Sequence, residues 1–130
     1  MLIEAVDHIG IRVTDERRSV AFYEKFGFRV VYRDGKDPVI VLRTESGVEL
    51  NLIVNAAADF DGKNRLMDVP VKVPGVTHFA LRVGSIERTA EWVRAQGFTI
   101  TEGPVRLGPG TSLFLRDPDA NVIELREHTP

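Results

Sequence analysis

Apolar and polar residues alternate over Ala5 to Val13, so that His8, Gly10 and Arg12 fall on one face of a predicted strand and Ile9, Ile11 and Val13 on the other. The period then lengthens. Thr14-Asp15-Glu16 is a capped, acidic helix start, Val20, Tyr23 and Phe26 recur at helical spacing, and Gly27 ends the run. Three short strands are predicted next, near Phe28 to Arg33, Val39 to Arg43 and Val48 to Val54, separated by turns at Asp34-Gly35-Lys36 and Glu45-Ser46-Gly47. In the last of them Glu49 and Asn51 share a face opposite Val48, Leu50 and Leu52.

The same order recurs downstream. "HIGIRVTDERRSVAFYEKFGFRVV" aligns without a gap on "HFALRVGSIERTAEWVRAQGFTIT", pairing His8 with His78, Arg12 with Arg82, Arg18 with Arg88, and Gly27-Phe28 with Gly97-Phe98. "LRTESGVEL" then answers "LRDPDANVIEL", and two extra turn residues in the second copy set Glu49 opposite Glu124. The second copy predicts a strand from Val76 to Val83 and a helix capped by Ser85 and closed at Gly97. Strands near Phe98 to Thr101, Ser112 to Arg116 and Val122 to Glu127 complete it. The expected organisation is a single α+β domain over 1–130: module one 1–54, a linker 55–75 holding Pro70, Pro74 and Gly75, and module two 76–130, each module βαβββ.

A chain of 130 residues can bury roughly two thirds of its extended surface without cross-links. It has no cysteine, which removes thiolate nucleophiles and sulfur-ligated metals and leaves His, Asp and Glu as the available ligands. The net charge of −2, with signs interspersed, supplies no basic field for nucleic acid or anionic lipid. "MLIEAVDHIG" has neither a basic leader nor a long apolar core, so a cytoplasmic protein with no membrane association is expected.

A merely wet sheet face accounts for polar positions in general. It does not call for a His at the start and a Glu at the end of both copies, where Lys, Thr or Ser would be more usual. Spacing alone leaves a solvated face and a metal site both open.

The motifs "DHIGIRV", "SVAFYEKFGF", "VTHFALRV" and "LRDPDANVIEL", in that order over nearly the whole chain, resemble the vicinal-oxygen-chelate superfamily. Its members include glyoxalase I, methylmalonyl-CoA epimerase, extradiol dioxygenases, fosfomycin-modifying enzymes and bleomycin-binding proteins. The resemblance implies two βαβββ modules forming a curved mixed sheet around a metal-binding cleft, with helices on the outer face. It places the ligand positions on His8, Glu49, His78 and Glu124, around one divalent ion for which Zn, Ni, Co, Mn and Fe are all suitable.

The implied activity is that of a glyoxalase I type lyase or isomerase, moving a proton through an enediolate, with Glu124 as general base and Glu49 as ligand and partner base. Arg12 and Asn51 are the candidate contacts to a small-molecule substrate. Ile53 stands where that family has an asparagine four residues after its first glutamate, which puts glutathione in doubt. A homodimer is also implied. Two other readings remain: an Fe(II) ring-cleaving dioxygenase, against which Glu49 counts because that chemistry uses two His and one carboxylate, and a drug- or metabolite-sequestering protein stacking its ligand on Trp92 or Phe114. Of the remaining polar residues, Arg82 is expected to pair with an acid, His128 to lie at a frayed surface, and Asn121 to supply the left-handed turn residue where the family has Gly at the position of Ala120.

Overall fold

The computed structural model describes residues 1–130. The chain divides into two units, 1–61 and 62–130. In the first, β1 (Ile9–Arg12) leads into α1 (Glu16–Lys25), then β2 (Arg29–Arg33), β3 (Val39–Arg43) and β4 (Glu49–Ile53). In the second, β5 (Phe79–Arg82) leads into α2 (Ile86–Ala95), then β6 (Glu102–Leu107), β7 (Gly110–Arg116) and β8 (Val122–His128). Each unit is a four-stranded mixed sheet of the same topology, β1-β4-β3-β2 and β5-β8-β7-β6, with the first and last strands parallel and the other pairs antiparallel. The expected α+β architecture of two βαβββ units is therefore present.

The helices begin and end by the devices read from sequence. Asp15 and Ser85 cap them by accepting from the backbone N–H of Arg18 and Arg88. Gly27 and Gly97 stand at positive φ just past the ends, while the N–H groups of Phe28 and Phe98 reach back to the carbonyls of Tyr23 and Val93. The buried core of the first unit includes Tyr23, Phe28, Leu42, Leu50 and Leu52; that of the second includes Val93, Leu113, Leu115, Ile123 and Leu125. Truncating any of these leucines to alanine removes contacts worth about 2–5 kcal/mol.

Three sequence expectations need correction. β1 and β5 are shorter than the alternation suggested, because β4 and β8 offer no backbone partners before Leu50 and Ile123; Val6 and Val76 are exposed, and His8 and His78 each stand one residue ahead of a strand. The first hairpin strand of the second unit is β6, not Phe98 to Thr101. Phe98 belongs to the helix closure and packs on Trp92, and the ladder starts at Glu102, running past a bulge that accommodates Pro104 without its N–H.

The third correction concerns the last turn of each unit. Ala120 itself, not Asn121, adopts the left-handed conformation, at φ 62°. The turns Thr44–Val48 and Asp117–Asn121 are of equal length and close alike: Thr44 N–H to Val48 carbonyl and Gly47 N–H to Thr44 carbonyl in one, Asp117 N–H to Asn121 carbonyl and Ala120 N–H to Asp117 carbonyl in the other. Ala120 occupies the place of Gly47, whose φ is 93°. No two-residue insertion separates the copies, so the strand positions shift: Leu50 answers Ile123, Glu49 answers Val122, and Asn51 answers Glu124.

Residues 64–68 are tied to the second unit. Asn64 donates to the carbonyl of Ala120, and Arg116 grips the Asp68 carboxylate through two nitrogens at 2.7 and 3.0 Å. The Arg116 hydrogen bonds, aided by the Asn64 N–H, hold the Asp68 carboxyl below its usual pKa. A lowered folded-state pKa stabilises above the ordinary aspartate value of about 3.9, and that contribution fades as pH falls through the lowered value. The stability difference between wild type and Asp68→Asn, followed by urea unfolding, should thus be largest above about pH 4 and shrink on further acidification. Ala120→Gly should raise unfolding stability by about 0.5–1 kcal/mol, since an L side chain is strained at positive φ; an unchanged urea midpoint would show that Ala120 carries no strain.

Candidate metal centre

The parallel pairing of first and last strands decides which polar side chains are neighbours. In the second unit, Phe79 pairs with Ile123 and Ala80 with Glu124, which sets His78 diagonally beside Glu124. His78 Nε2 lies 2.9 Å from Glu124 Oε1, and the His78 ring rests edge-on against Phe114. Phe114, one of the two aromatics considered for ligand stacking, is buried under this histidine; the other, Trp92, packs on Phe98.

Glu124 is only 8% exposed and its second oxygen is held from below. Ser112 Oγ donates to Glu124 Oε2 at 2.6 Å and accepts from Arg126 Nη1 at 2.9 Å, while Arg126 Nη2 donates to the carbonyl of Leu107. Ser112 faces Arg126 across the β7–β8 ladder. Gly110 makes the arrangement possible: a Cβ there would lie 2.9 Å from the Arg126 guanidinium and 2.7 Å from the carbonyl of Glu127. A buried carboxylate is tolerable only when its lone pairs are satisfied, and here the Ser112 hydroxyl and the His78 ring do so, with the Arg126 guanidinium 3.6 Å from Oε2.

In the first unit, His8 Nδ1 is 2.7 Å from Asp7 Oδ2. An ionised carboxylate only accepts, so Nδ1 is the ring nitrogen that donates to Asp7. Asp7, His8 and Glu49 offer donor atoms that all lie within 4.8 Å of one another. Glu49 is also held by its ladder partner Arg43, whose Nη2 and Nε donate to Oε1 at 2.7 and 3.2 Å. Arg12 Nε donates to Asn55 Oδ1. The matching Arg82 meets the imidazole of His128 at 2.7 Å and not an acid, because β8 continues to His128.

The donors suit a divalent cation. His78 Nε2 and Glu124 Oε1 stand 2.9 Å apart as a hydrogen-bonded pair, and imidazole nitrogen and carboxylate oxygen are both donor types that divalent ions accept. Asp7, Thr77, Ser112 and Arg126 were not singled out from sequence. The available signal for two of them was positional: Asp7 and Thr77 each immediately precede a histidine of the repeat, and each contacts its Nδ1. Ser112 and Arg126 become partners only once the β7–β8 register is known. Ser112→Ala should destabilise the protein by about 2 kcal/mol in urea unfolding, because it strips a buried carboxylate of its shortest hydrogen bond; an unaltered midpoint would remove Ser112 from this role.

Residues 5–125 match the sequence profile of the Glyoxalase/Bleomycin resistance protein/Dioxygenase superfamily. Similar proteins include the uncharacterized protein YwkD of Bacillus subtilis, 27% identical over 98% of this chain and 99% of that one. A lactoylglutathione lyase of Haemophilus influenzae is 30% identical over 93% of this chain and 90% of its own. Among solved structures, the virulence protein STM3117 of Salmonella typhimurium superposes with a TM-score of 0.70 at 27% identity, covering 99% of this chain and all of that one.

Proposed function

This chain belongs to the Glyoxalase/Bleomycin resistance protein/Dioxygenase superfamily, and from that premise we propose that it is a divalent-metal-dependent lyase or isomerase acting by proton transfer on a small oxygen-rich substrate. The observation that carries the reading is the buried Glu124 carboxylate, clamped through Oε2 and set 2.9 Å from a histidine through Oε1. In this reading His8, His78 and Glu124 hold the ion, with a fourth side chain from β4 of the first unit. Glu49 is the one that the resemblance marks. Zn, Ni, Co, Mn and Fe(II) all accept such donors.

When bound, the ion polarises a substrate carbonyl and acidifies the neighbouring C–H. The protein's part is to place a base. Ser112, itself held by Arg126, immobilises Oε2, so in this reading Oε1, which faces His78, is the atom that takes a proton from one carbon and returns it to the next. Arg12 offers its guanidinium to a substrate carboxylate. The 30% identity to a lactoylglutathione lyase supports a glyoxalase-type reaction, acting as a cytoplasmic homodimer. No helix of the chain is long and apolar enough to cross a membrane.

A second reading, an Fe(II) ring-cleaving dioxygenase, is favoured by one observation: Arg43 already engages Glu49, and without Glu49 the set reduces to two imidazoles and one carboxylate, the ligands of that chemistry. Metal analysis of the purified protein, turnover of the methylglyoxal hemithioacetals of glutathione and other thiols, and oxygen uptake with catechols after Fe(II) loading separate the two. For the primary reading, Glu124→Gln should keep most of the metal yet lose at least about 100-fold in turnover. Full activity in that variant removes Glu124 from the base role, and tight ligand binding by metal-free protein points instead to sequestration.

A further inference from the structure

Two side chains of β4, Glu49 and Asn51, share a face and carry oxygen donors. We propose that Asn51, not Glu49, is the first unit's ligand to the metal; this inference rests on the metal reading above.

The strand registers carry it. Gly10 pairs with Asn51 as Ala80 pairs with Glu124, and Ile9 pairs with Leu50 as Phe79 pairs with Ile123. Asn51 is thus the repeat's counterpart of Glu124, the residue that meets a histidine in the second unit. The counterpart of Glu49 is Val122, a buried apolar residue with no donor atom. The position of Glu49 is one that the second unit uses for packing.

The local chemistry agrees. Glu49 has a partner, Arg43, directly across the β3–β4 ladder, and the two form an ion pair at the sheet. Asn51 Oδ1, in contrast, is buried without any hydrogen-bond partner. Buried carbonyl oxygens are nearly always satisfied, so this oxygen has its acceptor capacity open to a donor or a cation. An amide oxygen is a competent ligand for hard divalent ions.

The consequence reaches the substrate. With one carboxylate among its ligands in place of two, the site keeps a net positive charge once a divalent ion is bound. It therefore selects a substrate whose chelating oxygens carry negative charge, such as an enolate, a catecholate or a carboxylate beside a hydroxyl or carbonyl. It also leaves Glu124 as the sole carboxylate base, with no partner base from the first unit.

The test titrates chelator-stripped full-length protein with Co(II) alone, reading affinity by calorimetry and ligand field by visible absorption. Asn51→Ala should weaken Co(II) at least tenfold, since even groups that only touch a ligand are worth about 10–100-fold. Asn51→Asp, nearly isosteric, should tighten it and alter the spectrum, while Glu49→Gln should stay within about threefold of wild type with an unchanged spectrum. Asn51→Asp also decides the matter if Asn51→Ala fails to fold. Wild-type affinity and spectrum in Asn51→Asp, or loss of Co(II) in Glu49→Gln, overturns the assignment of Asn51 while leaving the metal site standing. A wild-type protein that takes up no Co(II), Mn(II) or Fe(II) overturns the metal reading itself, and this inference with it.

Discussion

Parallel pairing between the first and last strands of each unit is the constraint on which the rest depends. A βαβββ run could place its opening strand at many positions, but pairing β1 on β4 and β5 on β8 leaves the polar ends of those strands side by side. The buried faces enforce it. Leu50 and Leu52 in one sheet, and Ile123 and Leu125 in the other, are within a few per cent of full burial. A slip of one residue would turn those side chains outward and bury Glu49, Asn51 and Arg126 in their place. The hydrophobic core thus fixes the register, and the register fixes which residues meet His8 and His78.

The two units have used this shared frame differently. The second has become the more thoroughly built, with Glu124 held on one oxygen by Ser112, which Arg126 supports in turn, and facing His78 with the other. Its supports reach back to a glycine, Gly110, whose missing Cβ admits the guanidinium. The first unit carries an amide at the matching position and has moved its carboxylate two residues earlier, where Arg43 neutralises it. Duplication supplies a symmetric frame; divergence at single positions leaves a buried carboxylate beside the histidine of one unit and an amide at the matching register position of the other.

Much of this was legible from residue order. The repeat, the caps at Asp15 and Ser85, the closing glycines Gly27 and Gly97, and the histidine that opens each copy are local features, governed by backbone dihedrals and by side chains a few residues apart. Strand limits were less legible, because a strand ends where its neighbour stops offering partners, as for residues 5–8 and 76–78. The support beneath Glu124 was not legible: Ser112, which donates to it, is 12 residues away, and Arg126, which donates to Ser112 and to the carbonyl of Leu107, joins it only through the β6–β7–β8 ladders.

The equivalence of the glutamates shows the boundary most plainly. Two "EL" pairs in similar surroundings invited a gap that made Glu49 and Glu124 counterparts, whereas the structure shows equal five-residue turns, with Ala120 bent into the conformation of Gly47. The chain alone specified a duplicated unit with two histidines, two glutamates and an aliphatic face, because periodicity and capping act over a few residues. That Glu124 stands beside His78 was decided by backbone hydrogen bonding between strands some forty residues apart, and that pairing is set by packing of the whole sheet.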